Sequence, residues 1–117
     1  MNEKSDYDDF VQDRGVPLEG IADLLLSADD AIAAVRLARN AGIPILGGEV
    51  YVRRSGAISP AFASWDTDRK PGESLNEYAR RTWNETEEYL RAYPKPEDGE
   101  PLFALVRWSS RLPSPPT

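Results

Sequence analysis

A chain of 117 residues with 40% hydrophobic and 29% charged side chains has the material for one small folded domain and no second core. It holds no Cys and no His, which excludes disulfides, Cys/His zinc sites, Ser-His-Asp or Cys-His nucleophiles and imidazole acid–base catalysis. With 14 basic against 20 acidic side chains the formal net charge is −6, which repels nucleic-acid phosphates and anionic membranes and suits a basic protein partner.

The opening residues 1–15, MNEKSDYDDFVQDRG, are acidic and polar. They lack the basic start and apolar centre of a secretory leader, and no window of the chain approaches the roughly 18 apolar residues of a membrane span. These features lead us to expect a cytoplasmic protein. Tyr7, Phe10 and Val11 fall at i, i+3 and i+4, so residues 1–15 are an arm or a short, weakly docked helix. Residues 16–26 are apolar but interrupted by Pro17 and Gly20, which fits a turn of helix or an irregular segment. Ser27 is an N-cap, followed by Asp29 and Asp30 where the helix dipole favours negative charge. Ala28, Ala31, Ile32, Val35 and Ala38 then keep helical spacing until Gly42 and Pro44, so a helix is predicted over 28–41. Its small residues let it pack closely on a sheet.

Residues 43–53 read as a strand, with Val50 and Val52 alternating with Glu49, Tyr51 and Arg53. A turn at Arg54-Ser55-Gly56 returns a second strand over 57–62, with Pro60 at an edge or a strand end. A polar loop over 63–73 carries Trp65. Ser74-Leu75-Asn76-Glu77 is a capping box that opens a helix over 75–92. Leu75, Tyr78, Ala79, Thr82, Thr86, Tyr89, Leu90 and Tyr93 share one face, with Glu77–Arg81 and Glu87–Arg91 pairs at i, i+4. The apolar run 101–108 has strand length and suits a central strand, and 111–117 is a Pro-rich tail. The expected fold is therefore α+β, over a domain spanning 16–110. A small antiparallel or mixed sheet of three to four strands carries two main helices packed on it.

Few constellations carry chemistry. Gly47-Gly48 resembles a phosphate-cradling pair, but no helix N-terminus or Lys-Ser/Thr accompanies it, so a bulge or close backbone approach is preferred. Asp66 and Asp68, with Glu49 or Glu73, are oxygen ligands in principle; the calcium-loop pattern is absent, since Arg69 and Lys70 follow. Carboxylate pairs for glycoside chemistry among Glu49, Asp66 and Asp68 are easily found in so acidic a chain, and a small domain offers little concave surface. No cofactor and no metal is expected. Of the three tryptophans, Trp108 is assigned to the core and Trp83 to the margin of its helix face with its N–H near water. Trp65 is either an exposed aromatic anchor or a pin holding the acidic loop to the sheet.

The stretch from Gly42 to Tyr51, GIPILGGEVY, resembles the "GIPILGGDVY" segment of the immunity protein 40 family of bacterial polymorphic toxin systems. The order of the remaining features is similar to that family: a hairpin, a Trp-containing acidic loop (Trp65-Asp66-Thr67-Asp68), Gly72-Glu73-Ser74 with Tyr78-Ala79-Arg80-Arg81, and the strand Phe103–Val106. Glu49 stands where the family segment has Asp, and Thr82 where it has Ser. The resemblance spans about 16–108 and implies a protein that binds and neutralises a neighbouring toxin.

The function expected is thus an immunity protein acting on a cognate toxin domain, itself basic, with no nucleic acid or membrane partner. The alternatives are a small carboxylate-dependent enzyme and a regulatory or adaptor module without a toxin. Glu49, Tyr51, Trp65, Asp66 and Asp68 are the expected toxin-binding residues, and no residue is assigned a catalytic role. Glu49 and Tyr51 share a strand face, and the acidic loop is expected beside it.

Overall fold

A computed structural model describes residues 5–109. The elements are α1 (Asp6–Arg14), β1 (Leu25–Ser27), α2 (Ala28–Ala41), β2 (Ile45–Arg54), β3 (Ala57–Asp66), α3 (Leu75–Ala92) and β4 (Glu100–Arg107). The four strands form one antiparallel sheet in the order β1-β4-β2-β3, so the fold is α+β. Among the described residues no helix is long and apolar enough to cross a membrane.

The two long helices form where their local signals place them. Ser27 accepts the Asp30 N–H and starts α2, and Gly42 ends it in the left-handed conformation at φ 72°. Ser74 and Glu77 make both bonds of the capping box at the start of α3. The Glu87–Arg91 pair closes at 3.0 Å. The expected Glu77–Arg81 pair does not form, because Glu77 is committed to its cap and Arg81 turns to Glu73 and Glu85. Leu75 is another departure: it is exposed rather than packed.

The helices cover one face of the sheet. There Leu26, Val35, Ile45, Val50, Trp83 and Phe103 belong to the main core. Two buried threonines tie α3 to the sheet, Thr82 to β2 and Thr86 to Trp65 of β3. Thr82 donates to Ala79 O and accepts the Ile45 N–H at 3.1 Å, at the point where the β2–β4 register slips. The indole N–H of Trp83 donates to Ile43 O at 2.7 Å. Trp83 is therefore buried and bonded to backbone, not placed with its N–H near water. Arg39 stacks its guanidinium over that ring.

On the opposite face Leu25, Tyr51, Leu102 and Ala104 form a smaller cluster, covered by Val16, Leu18 and Ile21. That cover is the segment expected to be a helical turn or irregular. It is irregular up to Leu24, bridges Val16 to Leu25, and then enters the sheet as β1. A three-residue strand broken from its apolar neighbours by Pro17 and Gly20 has no period of its own to read. β4 lies between β1 and β2, the central position its apolar run requires.

Three further expectations change. The second hairpin strand does not stop at 62 but continues to Asp66, so Trp65 and Asp66 belong to β3 and not to a loop. Trp108 is not core: it lies beyond β4, half-buried, with its backbone N–H donating to Pro44 O. And α1 docks firmly, with Tyr7 buried and Asp8 paired to Arg107 at 3.1 Å. The Pro-rich tail at 111–117 lies outside the described residues.

Candidate functional site

The cover of Val16, Leu18 and Ile21, with Ile58, reaches Tyr51 and leaves the end of the outer β2–β3 face around Glu49, Ser64 and Asp66 exposed. The pairing there sets what each face presents. Gly48 lies opposite Trp65 and Val50 opposite Ala63; these residues turn toward the helices. Gly47 lies opposite Asp66 and Glu49 opposite Ser64, on the outer face. Glu49, Ser64 and Asp66 are all exposed. Glu49 and Asp66 are thus diagonal neighbours across the ladder, about 7 Å apart by ordinary sheet geometry.

The glycine pair makes this arrangement possible by close approach. A Cβ at Gly47 would collide with the backbone of Trp65 and Asp66, and a Cβ at Gly48 would occupy the place of the Trp65 indole. The bulge or close approach expected at Gly47-Gly48 is therefore found, together with a register slip against β4 between Ile45 and Gly47. The outcome is a shallow depression of about 280 Å³ lined by Gly47, Gly48, Glu49, Ser64, Asp66 and Val106, among others.

Trp65 contributes to this surface from beneath. Its ring stacks on Tyr89 at 4.5 Å and meets Phe103 edge-on at 6.3 Å, and its Nε1–H donates to Thr86 Oγ1 at 3.0 Å. Its stack and its indole hydrogen bond are made with α3, so this half-buried ring fastens β3 to α3 and does not pin a loop. Tyr51 is also buried, at 5% exposure, and its hydroxyl donates to Glu49 Oε2 at 3.5 Å. Burial and then the Glu49 charge raise its pKa, so it remains a donor across the neutral range and orients Glu49.

Asp68 is exposed but outside the depression, on the loop that follows β3. That loop is pinned by contacts not anticipated from the sequence. Thr67 is buried; its N–H donates to Leu46 O, its hydroxyl to Glu85 and its carbonyl accepts the Tyr78 hydroxyl at 2.7 Å. Arg81 donates to Glu73, Glu85 and the Asp68 carbonyl. Only the Gly72-Glu73-Ser74 spacing before the capping box hinted at this clamp.

One further residue escaped the sequence. Phe62 is 94% exposed and adopts φ 57°. Strand-like neighbours on both sides concealed it, and no local pattern marks a bulge.

Chemically, the surface offers carboxylates at one edge of a backbone hollow. Among the described residues no group of three or more acidic side chains converges as metal ligands. A larger cleft of about 680 Å³, between the start of α2 and the end of α3, mixes Asp29 and Glu100 with Arg91 and Lys95 and has no single sign of charge.

A family model described as Immunity protein 40 matches residues 16–107. The chain belongs to the Immunity protein 40 family. The match begins just after α1 and runs to the last residue of β4, so the whole sheet, both long helices and the acidic surface lie inside it. Membership makes this an immunity protein of a toxin system, and the partner it implies is a toxin. Neither a curated protein nor a solved structure matches the chain.

Proposed function

We propose that this immunity protein binds a cognate toxin domain in the cytoplasm of the producing cell and neutralises it through the outer β2–β3 face. The observation that supports this reading is the exposed pair Glu49 and Asp66 over the glycine hollow, in a chain of net charge −6. An acidic surface of this kind suits a basic toxin cleft, where it both speeds encounter and fixes register. Asp68 extends the same charge along the loop. Tyr51 lies buried beside Glu49 on the same face and orients it, and Trp65 holds β3 in place from the helix side.

The test is affinity for the toxin domain encoded beside the gene, measured for Glu49→Lys, Asp66→Lys and Asp68→Lys with melting temperatures on the same samples. A reversal at a charge pair desolvated in the complex is expected to cost on the order of 2–5 kcal/mol, and one at the rim about 0–1 kcal/mol. Melting temperature should hold in all three. Affinity unchanged in every reversal moves the contact surface elsewhere, and a wild-type protein that fails to bind that domain removes the reading.

A further inference from the structure

We infer that Phe62 is the apolar anchor of the toxin contact, inserted into an apolar pocket of the partner whose rim is basic. This rests on the proposed toxin binding and names the element that carries it.

Two unfavourable features coincide at Phe62. Its ring is almost wholly exposed, and its backbone is left-handed at φ 57°, a region that a bulky side chain rarely occupies. The cause of the second lies in the pairing of β3. Val50 pairs with Ala63, but the next residue, Tyr51, pairs with Pro60, so Ala61 and Phe62 bulge out of the ladder. Ala61 still packs toward the helix-side core, as Ala63 and Trp65 do. Phe62 is the part of the bulge that the fold does not use. A Gly or Asn there would be easier on the backbone and would expose less apolar surface.

The setting defines the occupant. β3 is the edge of the sheet, yet its outer edge is unsuited to adding a partner strand, because Pro60 has no N–H and the bulge interrupts the ladder. Recognition at this point must therefore use the side chain. Phe62 lies two residues from Ser64 and four from Asp66 along an extended strand, about 7 and 13 Å, so the ring and the carboxylates are within one contact patch. An aromatic anchor flanked by polar and charged groups is the pattern of an interface hot spot. A second copy of this chain is a poor occupant, since it would bring Glu49, Asp66 and Asp68 against their like in a protein already at −6.

The experiment compares wild type with Phe62→Gly and Phe62→Asn, the two substitutions that suit a left-handed backbone. Titration calorimetry against the toxin domain encoded beside the gene gives affinity, thermal melts give stability, and sedimentation gives the state of the protein alone. Expected are a monomeric wild type, variants that melt at the same temperature or higher, and affinities lower by about 30-fold or more. Affinity within about threefold of wild type in both variants overturns the anchor while leaving toxin binding intact. So does a fall in melting temperature in both variants that accounts for the lost affinity, or a Phe62-dependent dimer. A wild type that does not bind the domain at all defeats the proposed function itself.

Discussion

Arg81 and Glu73 face each other through two parallel hydrogen bonds, Nε to Oε2 at 2.8 Å and Nη2 to Oε1 at 2.9 Å. The same guanidinium reaches Glu85 and the Asp68 carbonyl, and Glu73 also accepts the Lys70 N–H. One ion pair thus holds the whole turn between β3 and α3, including the acidic residue that the proposed interface uses.

The pair has a pH signature. Hydrogen bonds from Arg81, then from the Lys70 N–H, hold the Glu73 carboxyl at about 2, below its usual 4.5. A carboxyl depressed in the folded state stabilises fully above its unfolded pKa and loses that contribution as pH falls through the folded value. In melts taken between about pH 5 and pH 2, Glu73→Gln should therefore show a shallower acid slope than wild type, with parallel curves above about pH 5. Identical slopes would show that the clamp does not contribute to stability.

Trp65 should matter to folding before it matters to binding. Truncation to Ala removes the Tyr89 stack and leaves the buried Thr86 hydroxyl without its indole donor. A fully buried Trp→Ala change costs about 3–5 kcal/mol; for this half-buried ring we expect on the order of 2–3 kcal/mol by denaturant unfolding. Binding measured well below the midpoint should change less. The reverse ranking would restore Trp65 as a direct contact.

Gly48→Ala offers a sharper version of the same test, because the new methyl must share space with the indole. Overpacking of this kind costs about 1–3 kcal/mol. Combined with Trp65→Ala, which empties that space, the two effects should fall short of additivity. Simple addition would mean the methyl is resisted by the backbone at Ala104, which it also approaches, more than by the ring.

Thr82→Val keeps the shape of a fully buried side chain and deletes its hydroxyl. The Ile45 N–H then loses its partner at the register slip, with a cost of about 1–3 kcal/mol. Thr82→Ser retains the hydroxyl and should recover most of that stability in the same unfolding assay. If Ser and Val are equally destabilised, the missing methyl or backbone adjustment, and not the hydrogen bond, is responsible.

Asp8→Ala removes the acceptor of Arg107 Nη1, on the β4 residue that pairs with Ile45, and the N3 half of the α1 capping box. The Nε of Arg107 is already buried without a hydrogen bond among the described residues. A loss of about 1–2 kcal/mol is expected, between a surface pair and a buried one, with hydrogen exchange faster in α1 than in α3. Equal exchange in the two helices would show that α1 is held by Tyr7 burial alone.

Ser27 and Gly42 placed both ends of α2 and Ser74 with Glu77 the start of α3 correctly from the sequence, as did Ser55-Gly56 for the hairpin turn; the run 101–108 placed the central strand, which ends one residue earlier at Arg107. Each of those signals acts between residues at most a few positions apart. Trp83 and Trp108 went the other way. Whether an indole is buried depends on what crosses above it, here Ile43 from 40 residues away for Trp83 and the end of β4 for Trp108.

The sequence by itself determined the α+β class, the two long helices and the acidic balance, because capping, periodicity and charge are properties of neighbouring residues and of composition. Its resemblance to the Immunity protein 40 family also stood, since GIPILGGEVY and the features after it lie within the matched span. Only the tertiary structure decided that Glu49 and Asp66 share one open surface, that Tyr51 is buried beside it and Trp65 behind it, and that Phe62 projects from a bulge. Those outcomes depend on the register between β2 and β3 and on which part of the outer sheet face residues 16–21 cover. Register is set by pairing across the whole hairpin, and the two-residue bulge at Ala61 and Phe62 shifts every cross-strand partner beyond it, so no local pattern could have carried it.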